Sequence, residues 1–414
     1  MQIPYICKNI YTMMVIKDRK DTNSIKFDSL KENFGRSDLI PMWVADMDFE
    51  SPKCVQDALK DIVSGSVYGY NRIPKDYYPT LQQWLKNEQD WQVEQDSITF
   101  IPGIVKGIGY VINFFVKADE GIVIQPPVYP PFANLPKGNN RKLLFNPLIR
   151  CEEGALECGC EKHYRMDFDN LLEIFKTGQA KYLILCNPHN PVGISWSRKT
   201  LQKLADLCYE YKVIVISDEI HADMQLFGNK HIPFASVSDK ASAISITFGA
   251  PSKTFNMAGI VSSYAIVPNP TLRKDFFKWL EINELSSPTI FATMATIAAY
   301  TKGAEWRKEM LFYITKNVEF VEEFFAKNIP SIKPLRPQSS FLIWLDCRDL
   351  CAKLDTDKLV AQEKLVDLFI NKAKLALNNG ATFGIGGLGY MRLNVGCGKE
   401  TLKNALEDLA EIIK

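Results

Sequence analysis

The chain has almost no net charge, no long apolar run and no internal repeat, and each absence removes a class of function. Its 49 lysines and arginines nearly cancel 48 aspartates and glutamates over 414 residues, leaving +1. No broad attraction to nucleic acid or to an anionic membrane is therefore encoded. No apolar stretch reaches the roughly 18 to 20 residues that cross a bilayer. The N-terminal MQIPYICKNIYTMMVIKDRK lacks a signal-peptide core and cleavage site, so a cytoplasmic location is expected. No G-x-G-x-x-G opens a helix at the first strand-to-helix turn, which argues against dinucleotide binding. The glycine-rich GIGGLGY (384–390) precedes a strand-like stretch instead of a helix and is read as a mobile loop over the site.

Ten cysteines in a chain of this length fit reduced cytosolic thiols better than a disulfide framework. Cys151, Cys158, Cys160 and His163 cluster in RCEEGALECGCEKH, but the spacing matches no common zinc module. That segment is expected to be a solvated hairpin or loop with free thiols.

What is present is a hydrophobic content of 46%, enough for a large core and two lobes. Strand and helix signals alternate through the middle of the chain: SITFI (97–101), GIVIQ (121–125), YLILC (182–186), VIVIS (213–217), ISITF (244–248) and SSYAIV (262–267). Between two of these runs, Ser197 is placed to cap a helix whose Leu201, Leu204, Ala205 and Cys208 recur at helical spacing. The pattern predicts an α/β fold with a mostly parallel sheet covered on both faces. After about residue 290 the pattern changes to amphipathic helices. Met310, Ile314, Val318, Val321 and Phe325 form one stripe, Leu402, Leu406, Leu409 and Ile413 another, with FLIWLDC (341–347) between as a strand. This predicts a second, smaller α+β domain.

Gly103, Asn187, Asp218 and Lys253 each fall just beyond the carboxyl end of a predicted strand, the edge where open α/β sheets bind ligands. A lysine forms a Schiff base with an aldehyde, a carboxylate keeps a pyridine nitrogen protonated, and an asparagine amide donates to a phenolate oxygen. Together the three describe a socket for pyridoxal 5′-phosphate. Gly103, Ile104 and Val105 open a helix directly after a strand, so their N–H groups suit the cofactor's phosphate. The face of Tyr129, in a proline-rich loop, suits a planar ring. Arg392, in GYMRLN, is the natural partner of a substrate carboxylate because its planar guanidinium makes two parallel hydrogen bonds.

The strings TNSIKFD, PMWVADMDF, VYGYNR, PPVYPPF, CNPHNPVG, SDEIHADM, APSKTFNMAGI, LSSP and YMRLNVGCG run nearly end to end. Through them the chain resembles fold-type I pyridoxal-phosphate enzymes of the aminotransferase class I/II superfamily, and specifically their MalY/PatB cystathionine β-lyase branch. The resemblance implies a seven-stranded, mostly parallel sheet in a large cofactor-binding domain (70–300). It also implies a small α+β domain (28–69 with 301–414) and an N-terminal arm (1–27). It implies a homodimer in which Tyr70 reaches the phosphate in the neighbouring subunit. Ser252 adds a hydroxyl beside Lys253, although Ala250 stands where many relatives carry a phosphate-binding serine. His221 falls three residues after Asp218, where related aminotransferases have a phenol that donates to the cofactor oxygen; here it either contacts that oxygen or packs. Phe27 replaces a usual tryptophan, and SSF (339–341) a usual threonine-tyrosine.

The implied reaction is α,β-elimination from L-cystathionine or related cysteine S-conjugates, with Lys253 as base and with thiol, pyruvate and ammonia as products. Two alternatives share the same residues. One is an aminotransferase; the other is a regulatory, protein-binding role such as members of this branch can play.

Overall fold

The computed structural model describes residues 14–151 and 162–413, which divide into two compact units. The larger comprises Ser51–Asn190 and Ile194–Glu305. Its centre is a seven-stranded sheet of β1 (Ile98–Ile101), β2 (Gly121–Ile124), β3 (Lys142–Phe145), β4 (Ala180–Cys186), β5 (Ile214–Asp218), β6 (Ser245–Gly249) and β7 (Ser263–Ile266). The order across the sheet is β1-β7-β6-β5-β4-β2-β3. Only β7 is antiparallel to its neighbours, so the other six strands share one direction and present their carboxyl ends at one edge.

Every residue of β1, β2, β6 and β7 is buried. Side chains alternate between sheet faces, so full burial requires cover on both. Ile108, Val111 and Ile112 of helix Ile104–Phe115 meet Ile122, Ile184, Ile216, Ile246 and Phe248 in the main core. Six of the seven strands lie within a residue or two of their expected positions. The edge strand β3, KLLF, carries only a short apolar run with both ends exposed, too short to mark a strand by periodicity. The expected helix after Ser197 spans Arg198–Glu210, with the Ser197 hydroxyl accepting from the Thr200 amide at 3.2 Å and the four predicted apolar positions buried.

Residues 51–69, expected in the smaller domain, belong to this larger unit. Helix Lys53–Ser64 packs on helix Ile290–Lys302, whose small buried residues Ala292, Ala295 and Ala299 allow close approach. No shift in composition marks that boundary in the sequence.

The smaller unit comprises the residues up to Glu50, Pro191–Gly193 and Trp306–Lys414. Its antiparallel sheet has β8 (Lys333–Leu335), β9 (Leu342–Asp346), β10 (Asn378–Asn379) and β11 (Tyr390–Asn394) in the order β8-β9-β11-β10. Met310, Ile314, Val318, Val321 and Phe325 are buried along helix Ala304–Asn328, as are Leu402, Leu406 and Leu409 along helix Lys399–Ile413. Residues 26–49 pack within this unit. Ile40–Pro41 pairs with Leu375–Ala376, and the fully buried Lys26 ammonium lies 2.8 Å from Asp48.

The GIGGLGY segment, expected to be a mobile loop, is exposed at 384–386 and packed from Gly387 onward. A Cβ on Gly387 would lie 2.0 Å from the Gly380 carbonyl oxygen, and the Gly389 amide donates to Gln362 Oε1 at 2.6 Å. Gly387 therefore serves close backbone approach, while Gly384, Gly386 and Gly389 adopt positive φ. Cys151, expected as a free thiol, is disulfide-bonded; Cys158 and Cys160 lie outside the described residues. No group of metal-ligating side chains occurs among the described residues, and none of their helices is long and apolar enough to cross a membrane.

Candidate active site

The carboxyl ends of five parallel strands deliver most of the residues singled out above. After β1, Gly103 adopts φ 111° and begins helix Ile104–Phe115, with no side chain capping that helix. A Cβ at Gly103 would meet nothing within 4 Å. The glycine is thus required by backbone conformation, and the space before the helix is open. First-turn amides such as those of Ile104 and Val105 have no intrahelical acceptor and carry the positive end of the helix dipole, which suits a phosphate.

After β2, Tyr129 is half-buried; its amide donates to the Asn190 carbonyl at 3.1 Å and its ring meets the edge of Phe132. After β4, Asn187 is fully buried and its backbone amide donates to the Asp218 carbonyl at 2.9 Å. Its Nδ2 donates to the Ile232 carbonyl at 2.9 Å and reaches Glu219 Oε1 at 3.5 Å. Oδ1 is buried with no protein partner. A donor role is expected of Asn187, and the Ile232 carbonyl takes only one of its two Nδ2 hydrogens, while the atom without a protein partner is the acceptor Oδ1.

Asp218 closes β5 and is 5% exposed. Burial pushes its carboxyl up to about 7, reinforced by Glu219 and opposed by the Ile220 amide, which donates to Oδ1 at 3.0 Å, and by the Lys253 charge. A carboxylate held at such cost calls for a cationic N–H partner. The pH dependence of stability follows. The folded carboxyl binds its proton more tightly than the unfolded one, so its contribution to stability is fully present below pH 3.8 and is lost as pH rises through about 7. Cofactor-free protein should therefore lose on the order of a few kcal/mol over that interval. Asp218→Asn should flatten the dependence, measured as the urea midpoint against pH; an equal slope in the variant would contradict the assignment.

After β6, the turn bearing Ser252 and Lys253 is half-buried, and the Ser252 carbonyl accepts from the Met257 amide at 2.9 Å. Ala250 is buried. Lys253 lies near enough to Asp218 for its charge to act on the carboxyl. His221 is buried in the turn after β5, its carbonyl accepting from the Met224 amide at 3.0 Å. Asn187, Asp218 and Lys253 are thus drawn to one edge of the sheet. Tyr70 is not part of this group; its ring is fully exposed.

Arg392 lies on β11 of the smaller unit and is 5% exposed. Its Nη2 donates to the Trp43 carbonyl at 3.0 Å and to Asn378 Oδ1 at 2.7 Å, and the guanidinium carbon lies 5.1 Å from the centroid of the Phe383 ring. These contacts fix the guanidinium plane.

A model of the family described as aminotransferase class I and II matches residues 37–409. The chain is 40% identical to cystathionine β-lyase PatB of Bacillus subtilis, over 94% of this chain and 96% of that protein. It is 30% identical to protein MalY of Escherichia coli, over 96% and 98% respectively. The chain belongs to the aminotransferase class I and II family, in its MalY/PatB branch. Another similar structure is that of the pyridoxal-phosphate-bound C-S lyase of Staphylococcus hominis, with a TM-score of 0.86, 29% identity and coverage of 96% of this chain and 97% of that one.

For a class I and II chain the edge residues fit pyridoxal phosphate on two structural counts: the uncapped helix start at Gly103 and a buried Asp218 in need of a cation. Sequence reading of this family member missed Glu219 and His231. The Glu219 carboxylate is 3% exposed and accepts from Ser217 Oγ at 2.8 Å and from the Phe234 amide at 2.9 Å; its Oε2 lies 2.7 Å from His231 Nε2. The only signal was a second acid directly after Asp218, at the end of a buried strand.

Proposed function

We propose that the protein is a pyridoxal-phosphate-dependent carbon-sulfur β-lyase acting on L-cystathionine or related L-cysteine S-conjugates. The observation that carries this reading is the joining of Asn187, a proton-hungry Asp218 and Lys253 at one sheet edge, in a chain 40% identical to a cystathionine β-lyase. When bound, pyridoxal phosphate supplies an electrophilic carbon for the amino group and a ring that takes up the electron pair released at Cα.

The roles of the protein's own residues follow from their chemistry. Lys253 Nζ removes the Cα proton. Asp218 would hold the proton on the ring nitrogen, and the Asn187 Nδ2 hydrogen not given to the Ile232 carbonyl would donate to the ring oxygen. Tyr129 covers the ring face. Gly103, Ile104 and Val105, with Ser252, hold the phosphate. His221, buried in the turn three residues after Asp218, either meets the ring oxygen or packs. Arg392 grips the substrate α-carboxylate and so orients the Cα–H bond toward the base. With that proton gone, the Cβ–S bond breaks, the thiolate leaves, and hydrolysis of the remainder yields pyruvate and ammonia. Tyr70, exposed together with Val67 and Tyr68, serves the phosphate of a second subunit in a homodimer, and the enzyme works in the cytoplasm.

Arg392→Lys keeps the charge but loses the paired geometry. It should raise KM for cystathionine by roughly 10- to 100-fold, the equivalent of one charge-assisted hydrogen bond, with a smaller change in kcat. An unchanged KM would remove Arg392 from substrate binding. The reading as a whole is tested by supplying purified protein with L-cystathionine and following pyruvate and free thiol, alongside a keto-acid acceptor assay. Transamination without thiol release would replace it with the aminotransferase alternative.

A further inference from the structure

The acid beside Asp218 has no part in the chemistry above, yet it is among the most heavily bonded side chains of the larger unit. Glu219 Oε1 accepts from the Ser217 hydroxyl on its own strand and from the Phe234 backbone amide, and Oε2 meets His231 Nε2. Its backbone amide donates to the Phe248 carbonyl at 2.9 Å, tying it to β6, the strand that leads to Lys253. His231 and Phe234 flank Ile232, and the Ile232 carbonyl holds Asn187 Nδ2 at 2.9 Å. One buried carboxylate therefore grips the loop on both sides of the atom that orients Asn187. The same carboxylate lies 3.5 Å from Nδ2 itself. Turning the Asn187 amide end for end would set its Oδ1 against two acceptors, the Ile232 carbonyl and Glu219, so the clamp permits one orientation.

We propose that Glu219, clamped by His231, is a positioning residue that fixes the Asn187 amide toward the cofactor ring. Its cost is the burial of a carboxylate, which is tolerated because each oxygen is matched by a donor. The charged and titratable groups around it are Asp218 on its own strand, His231 opposite, and Asp223 and Tyr264 lining the same small cavity. A carboxylate retained among two other acids, where a neutral side chain would avoid repulsion, is explained by the demand for strong acceptors on both sides of Ile232.

This inference rests on the pyridoxal-phosphate reading, and the test separates the two. The dissociation constant for pyridoxal phosphate and the visible absorption of the bound cofactor are measured for wild type, Glu219→Ala, His231→Ala, Asn187→Ala and the doubles Asn187→Ala/Glu219→Ala and Asn187→Ala/His231→Ala. Urea midpoints of the cofactor-free proteins are recorded alongside. Loss of the clamp should weaken cofactor binding roughly 3- to 10-fold and shift the visible band. Neither clamp substitution should add to that effect once Asn187 is alanine, because its route to the cofactor is gone. His231→Ala breaks only one side of the clamp and serves as the probe if Glu219→Ala does not fold. Additive effects in the double variants, or an unshifted band in the single ones, would overturn the positioning role. Failure of the wild type to bind pyridoxal phosphate would instead remove the underlying reading.

Discussion

Lys253→Ala should abolish the visible absorption of covalently bound cofactor and lower kcat for thiol release from L-cystathionine by at least about 10³-fold. The same amine is assigned both the covalent attachment and the removal of the Cα proton, and a positioned base alone contributes roughly 10²- to 10⁴-fold. Alanine leaves the socket intact: the helix start at Gly103, the Asn187 amide and the Asp218 carboxyl all arise from other strand ends. Cofactor should therefore still bind, reversibly and without the covalent band. Spectra and single-turnover assays on the same preparation check both halves. Retention of the band would show that another amine carries the cofactor.

Asp218→Asn should produce the second largest loss. The amide keeps the shape and can still accept from the Ile220 amide, but it no longer offers a negative charge to a protonated ring nitrogen. Removing one member of a buried ion pair costs about 3–5 kcal/mol, which corresponds to a fall in kcat/KM of roughly 10²- to 10⁴-fold. The loss should fall mainly on kcat, since electron uptake by the ring matters most as the Cα proton departs. The stability effect runs the other way. Asn carries no desolvated charge, so cofactor-free Asp218→Asn should be more stable than wild type above pH 7, where Asp218 is forced to ionise. A variant that is less active and more stable marks a residue kept for chemistry at the expense of the fold. Equal activity in steady-state assays would strip Asp218 of its assigned role.

The contrast between neighbours in SDEIHAD explains how much of the site was legible. Asp218 is readable because the apolar run Val213–Ile216 marks strand β5 and the acid falls at its carboxyl end. Glu219 is not, since its partners His231 and Phe234 lie 12 and 15 residues away along an irregular segment with no period. The same distinction separates β4 from β3. The run in β4 is almost wholly buried and announces itself, whereas β3 at the sheet edge has exposed ends and reads as loop. Glycine is ambiguous in one place: the composition of GIGGLGY suggests freedom, yet Gly387 lets two backbones touch.

Local pattern alone determined the strands, the helix stripes and the positions of Gly103, Asn187, Asp218 and Lys253 at strand ends, because burial imposes a period of two on strands and of 3.6 on helices that survives in a one-dimensional reading. Tertiary structure alone decided which unit holds residues 51–69, how the guanidinium of Arg392 is braced by Trp43, Asn378 and Phe383, and which atoms face Asn187. Those outcomes depend on contacts between residues remote in sequence, and such contacts follow from the packing of whole elements and leave no periodic trace in the chain.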